Sequence, residues 1–152
     1  MSEQSLQLVT FHLADEEFGI DIKMVQEINR MISITKMPGT PAHVEGVVNL
    51  RGKVIPVVSL RKKLGFQEIE RDKATRIMVV EIEGRILGFI VDSVSEVLRI
   101  DDATIEPAPT LTGATDSGHI EGVINLADRI LMVLNLKVLF GGDLPGAKAA
   151  SN

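Results

Sequence analysis

Chemistry in this chain would have to come from a small set of side chains. His43 and His119 each stand two residues before a glutamate, Glu45 and Glu121. An imidazole and a carboxylate from each of two copies would make a four-donor set of the kind zinc accepts. The copies lie 76 residues apart, however, and neither has the internal spacing of a metal motif, so loop histidines are the plainer reading. His12 falls on the polar side of an alternating stretch. There is no Gly-x-Ser-x-Gly elbow and no phosphate-cradling loop. Gly84 and Gly88 have loop-like spacing but lack the strand–glycine–helix setting. With no cysteine and no Ser–His pair at suggestive spacing, nucleophilic catalysis has no candidate. The carboxylates of Asp15-Glu16-Glu17 and Asp101-Asp102 read as solvated turn residues. Arg51 remains. Its bland reading is a solvated turn residue; its sharper one is a planar, multi-donor cation on a rigid turn, able to pair with a carboxylate across an interface.

What positions Arg51 is a repeat. Val44 to Gly65 recurs without a gap as Ile120 to Gly141, with Glu-Gly-Val, Asn-Leu and the closing Gly unchanged. The largest change replaces Arg51-Gly52 by Ala127-Asp128, and this asymmetry is where function is expected. A second repeat, at 69 residues, sets Met78, Val80 and Ile82 on Val9, Phe11 and Leu13, and Leu87, Phe89 and Val91 on Phe18, Ile20 and Ile22. Val94, Glu96 and Val97 then match Val25, Glu27 and Ile28. Alternation at period two predicts half-buried strands paired as hairpins. The turns fall at Ala14–Glu17, Arg51-Gly52 and Glu83–Arg85. Asp21 is placed to cap a short turn through Lys23–Glu27, a segment equally readable as strand. Ser59 and Asn135 are N-cap candidates for Leu60–Leu64 and Leu136–Phe140, and Gly65 and Gly141 are C-terminal stops. Pro56 cannot donate a ladder hydrogen bond, which predicts an edge or bulged strand there.

About five short strands per half suit a small closed barrel. One half alone would bury a thin core, so the expectation is one compact unit: residues 1–72 and 73–152 as two barrel halves, with a groove between them and with sharing of strands or the terminal helix between the halves left open. Gln67 to Arg76 is the charged crossover and Gly142 to Asn152 a frayed tail.

Composition narrows the function classes. The 152 residues carry a net charge of -5, 45% hydrophobic residues and neither Cys, Trp nor Tyr. That balance disfavours nucleic-acid binding, and the scarcity of aromatics removes base-stacking platforms. Lack of cysteine leaves no disulfide scaffold and no zinc–thiolate site. No apolar run reaches membrane-spanning length, and the first residues lack the pattern of a signal peptide, so a soluble cytosolic protein is expected. With no catalytic group and no cofactor expected, elimination points to a binding module.

Glu16-Glu17-Phe18-Gly19-Ile20-Asp21-Ile22, Val25-Gln26-Glu27-Ile28, Pro41 through Arg61 with its Asn49-Leu50-Arg51-Gly52 core, Gly88 through Leu98, and Ile105–Pro109 carry a family signature. Together they closely resemble the CheW family of chemotaxis coupling proteins over essentially the full length. The resemblance implies a mainly β fold of two tandem SH3-like five-stranded β-barrels with short connecting and C-terminal helices. It also implies a non-enzymatic adaptor that links the cytoplasmic tips of methyl-accepting chemoreceptors to the regulatory domain of the histidine kinase CheA, a domain of the same fold. The same fold in another chemosensory pathway, serving twitching motility or gene regulation, is the alternative. The family's receptor- or kinase-binding positions carry over to Val25, Glu27, Gly46, Asn49, Arg51 and Gly52.

Overall fold

The computed structural model describes residues 5–101, 104–107 and 119–140, and the backbone of 147–148. The alternating segments form hairpins. β1 (Ser5–Leu13) and β2 (Glu16–Asp21) pair in the register Phe11↔Phe18 and Leu13↔Glu16. Their turn is two residues, Ala14-Asp15, so Glu16 and Glu17 belong to the strand and the Glu17 side chain is buried. This corrects the expectation of a longer, solvated turn: a tight turn leaves both glutamates in register, and alternation turns the second inward. Asp21 accepts a hydrogen bond from the Lys23 backbone N–H and caps a 3-10 turn, Ile22–Met24. The chain then continues as β3 (Val25–Arg30), which settles the segment as a turn followed by a strand.

β4 (Val44–Leu50) and β5 (Lys53–Ser59) form the hairpin around Arg51-Gly52, and α1 (Leu60–Leu64) follows. β6 (Arg76–Ile82), β7 (Arg85–Val91) and β8 (Ser93–Asp101) come next. The last elements are β9 (Ile120–Leu126), β10 (Arg129–Leu134), α2 (Leu136–Phe140) and β11 (Ala147–Lys148), which pairs with β7. The caps fall as expected. Ser59 Oγ accepts from the Lys62 N–H, Asn135 Oδ1 accepts from the Val138 N–H at 3.1 Å, and Gly65 closes α1 at φ 87°. Gly141 lies outside the described residues.

The sheets do not follow the boundary at residue 72. One has the order β3-β6-β7-β5-β4, with β11 beside it, and the other β8-β1-β2-β10-β9. The first hairpin of each half thus joins the second hairpin of the other. The joints are parallel pairings, Val58↔Phe89 on one side and Phe18↔Met132 on the other. The sheet of β3 to β7 is contiguous in sequence, residues 25–91, and is called here the nested barrel. The other, from 5–21 and 93–134, is interrupted by it and is the split barrel. A repeat in sequence reports which face of a strand is apolar; it does not report which hairpin supplies the neighbour.

Each ring closes through an isolated bridge, Thr35↔Val47 in the nested barrel and Glu106↔Val123 in the split one. Pro56 does not mark an edge, because β5 has β4 on one side and β7 on the other. Pairing with β7 begins at Val57, one residue beyond the proline. Opposite Pro56, the Val47 N–H and C=O turn away to the Thr35 bridge, so no ladder bond is lost.

Each barrel has its own apolar interior. Val48, Ile55, Val57, Ile77 and Val79 fill the nested barrel, and Leu8, Ile124, Leu131 and Val133 the split one. The largest cluster, which includes Val9, Ile20, Val58, Met78, Leu87 and Leu136, draws on both sheets and lies between them. All five phenylalanines run through it as one chain of ring contacts, Phe140–Phe89–Phe11–Phe18–Phe66, with centroids 5.9–6.4 Å apart. Each such contact contributes roughly 0.5–1.5 kcal/mol beyond area burial. The space between the barrels is therefore mostly packed core. An apolar depression remains open where the end of α1 meets the split barrel, lined by Phe18, Leu64, Phe66, Ile120 and Met132.

Candidate functional site

The Arg51-Gly52 turn has φ 51° and 84°, the positive pair a two-residue type I′ hairpin requires. Asn49 Oδ1 braces it by accepting the Gly52 N–H at 3.0 Å. On this base the Arg51 side chain, 74% exposed, donates from Nη2 to Glu27 Oε2 on β3. That hydrogen bond, against the effect of burial, holds the Glu27 carboxyl below its ordinary range. The same bond raises the Arg51 guanidinium. Beneath the pair is a shallow depression floored by Leu50, Ile55, Val79 and Ile86 and rimmed by Gln26, Glu27, Arg51 and Lys53. Val54, next along β5, is exposed.

Of the six residues expected from the sequence, Glu27, Asn49, Arg51 and Gly52 come together at this barrel end. Val25 is on the same strand but packs against the core between the barrels. Gly46 is buried on β4, under the closing bridge. A Cβ there would lie 2.2 Å from the Thr35 carbonyl oxygen. Gly122, its repeat partner, would meet Ile105 Cγ2 at 2.5 Å and the Glu106 carbonyl at 2.8 Å. The unchanged glycine of the repeat is thus a closure device in both barrels. The symmetric histidines have a backbone use: the His43 and His119 carbonyls accept the N–H of the two cap residues, Ser59 and Asn135, each at 2.8 Å. Glu45 pairs with Lys62 at 3.0 Å and Arg71 at 3.1 Å.

The turn of the second copy, Ala127-Asp128, has no arginine, yet a cation still reaches the matching glutamate. In the split barrel the cation has moved from the turn to the first strand residue, Arg129, which the repeat sets on Lys53. Arg129 reaches Glu17 at 2.6 Å, Glu96 at 3.0 Å and Asp128 at 3.2 Å, the Glu17 bond raising its guanidinium most. Glu96 is the repeat partner of Glu27, and Glu17 sits where the nested barrel has Ile86. Thr10, the partner of Val79, exchanges hydrogen bonds of 3.2 Å with the Glu96 backbone. The split barrel's end is therefore plugged by its own ion cluster, whereas the nested barrel's end keeps an apolar floor under a polar rim. The clue in the sequence was Glu17, a charged residue standing where the repeat has Ile86, on the strand face of Thr10 and Gly19.

A model of the CheW-like domain matches residues 7–144. The chain belongs to the CheW-like family. Among CheW relatives it is 36% identical to the chemotaxis protein CheW of Helicobacter pylori, spanning 93% of this chain and 86% of that one. It is 34% identical to CheW of Rhizobium meliloti, over 90% and 88%. The crystal structure of the scaffolding protein TtCheW from Thermoanaerobacter tengcongensis is similar at a TM-score of 0.85 and 41% identity, covering 93% of this chain and 99% of that one. The CheW-like fold of two five-stranded SH3-like sheets is thus reached by both routes, with helices confined to short caps and connectors.

Proposed function

We propose that this chain is a non-enzymatic adaptor. It couples the cytoplasmic tips of methyl-accepting chemoreceptors to the regulatory domain of the histidine kinase CheA. It works in the cytoplasm at receptor arrays, without entering the bilayer; among the described residues no helix is long and apolar enough to cross one. The observation that carries the reading is the inequality of the barrel ends. A duplicated fold has filled one end with Glu17, Glu96 and Arg129 and left the other floored by Ile55, Val79 and Ile86. An apolar floor with a charged rim is the anatomy of a docking patch. Glu27, Arg51 and the Asn49–Gly52 turn form its contact surface, while Val25 and Gly46 act on it through packing and ring closure. A partner barrel seats an aliphatic side chain on the floor and engages the rim. A receptor helix lays its apolar side in the depression beside Phe18 and Phe66. No bond is made or broken; the output is how kinase and receptor are held.

The test is a pull-down with the kinase regulatory domain and a receptor-tip fragment, separately and together. Arg51→Ala lowers recovery of at least one partner with an unchanged circular dichroism spectrum. Wild-type recovery of both would remove Arg51 from the site, and capture of neither partner by the wild type would end the adaptor reading.

A further inference from the structure

The chain crosses between barrels twice within the described residues, and the two crossings are built differently. Between β7 and β8 the link is one residue, Asp92. Its carboxylate receives Arg61 in bidentate fashion, Nε to Oδ1 at 2.8 Å and Nη2 to Oδ2 at 2.7 Å. Oδ2 also accepts the Ala14 N–H at 2.8 Å, and the Asp92 N–H donates to the His12 carbonyl at 3.0 Å. Arg61 sits on α1, against the nested barrel; Ala14 and His12 belong to the first hairpin of the split barrel. Arg61 also donates to the Gln67 carbonyl, tying in the segment that links α1 to β6 within the nested barrel, so the expected crossover at Gln67–Arg76 does not change barrels. Ala14 is held at φ 56°, a left-handed conformation that this bond helps fix. The Arg61 side chain is 11% exposed.

The other crossing, Ile22–Met24, has nothing comparable. The repeats put Lys23 where Asp92 stands, Lys137 where Arg61 stands and Glu83 where Ala14 stands. Among the described residues Lys23 and Lys137 form no ion pair. The Phe-rich core between the barrels attracts without direction, so it tolerates small rotations. A bidentate guanidinium–carboxylate pair with a third, backbone donor does not.

We infer that Arg61 and Asp92 are positioning residues, a one-sided clasp that fixes the angle between the barrels and so the geometry in which two partners are held at once. The inference rests on the adaptor reading for its consequence but not for its geometry. The chain has no cysteine, so spin labels can be placed at Arg30→Cys on β3 and Arg99→Cys on β8, one on each barrel. A narrow distance distribution is expected with the clasp intact and a broadened or shifted one with Asp92→Asn. Binding of the kinase regulatory domain alone, or the receptor-tip fragment alone, stays within about twofold, while joint assembly weakens by about fivefold or more. Arg61→Gln added to Asp92→Asn causes no further loss. Arg61→Lys, which keeps the charge but not the fork, gives an intermediate loss should the others fold poorly. An unchanged distance distribution overturns the clasp. So does an equal loss with single partners, or losses that add. If the wild type captures neither partner, the adaptor reading fails and the distance measurement alone decides the clasp.

Discussion

The two barrel ends began as the same hairpin and now do opposite things with the same charges. In the nested barrel the arginine stands on the turn, three-quarters exposed, and touches one glutamate. In the split barrel it stands two repeat positions later, on the strand, and gathers three carboxylates, one of them buried. The first arrangement leaves donors free for a partner and an apolar floor beneath. The second satisfies itself. Position on the turn or on the strand, and the exchange of Ile86 for Glu17, decide which end is open.

The largest expected effect lies under both ends, at the closing bridges. Gly46→Ala forces a Cβ into the Thr35 backbone and should cost about 3 kcal/mol or more in urea unfolding. Gly122→Ala should cost less, because its tightest contact is a side-chain methyl that can move and its backbone contact, the Glu106 carbonyl, lies at 2.8 Å against 2.2 Å for Gly46. Equal costs would mean that the nested barrel is not the more tightly closed ring. Next come the arginines. Arg129→Ala leaves Glu17 buried without its cation and should lower the melting temperature by about 3 °C or more. Arg51→Ala should leave it within about 1 °C yet weaken partner binding about tenfold. The reverse pattern would exchange the roles of the two ends.

The third difference is in acid. Burial pushes the Asp92 carboxyl up, but Arg61 and the Ala14 N–H outweigh it and, with the charges of Arg61 and His12, hold it below its ordinary range. A carboxylate depressed in the folded state adds stability above its unfolded value and loses it as pH falls through the folded one. The window is therefore below about pH 4. Urea midpoints from pH 5 to pH 3 should fall more steeply for the wild type than for Asp92→Asn; parallel curves would remove that contribution. The smallest effect concerns two matched aliphatics, Val54 and Ile130, each 59% exposed. Either Val54→Ser or Ile130→Ser should change stability by less than about 0.5 kcal/mol. Only the former should weaken partner capture.

Much of this was legible beforehand. Alternation gave the hairpins, Ser59 and Asn135 were readable as caps, and Asn49 through Gly52 marked the open turn. Three things were hidden for physical reasons. Alternation says which way a side chain points, so Glu17, on the opposite face from Phe11 and Phe18 and beside His12, looked like part of a solvated turn. Pairing partners are chosen by edges that meet in space, so the parallel joints Val58↔Phe89 and Phe18↔Met132 left no mark in either strand alone. The cation of the split barrel was missed because a gap-free repeat invites a search at Ala127-Asp128, while Arg129 reaches the same glutamate from a neighbouring position.

Nesting one ring inside the other also has a consequence for synthesis. Residues 25–91 can close as soon as they leave the ribosome, since every strand they need is already present. The hairpin of residues 5–21, made first, must wait with an unpaired flank until residue 134 has been added. At roughly 5–20 residues per second that wait lasts roughly 6–23 s. During it the amino-terminal hairpin is the part of the nascent chain most in need of a chaperone.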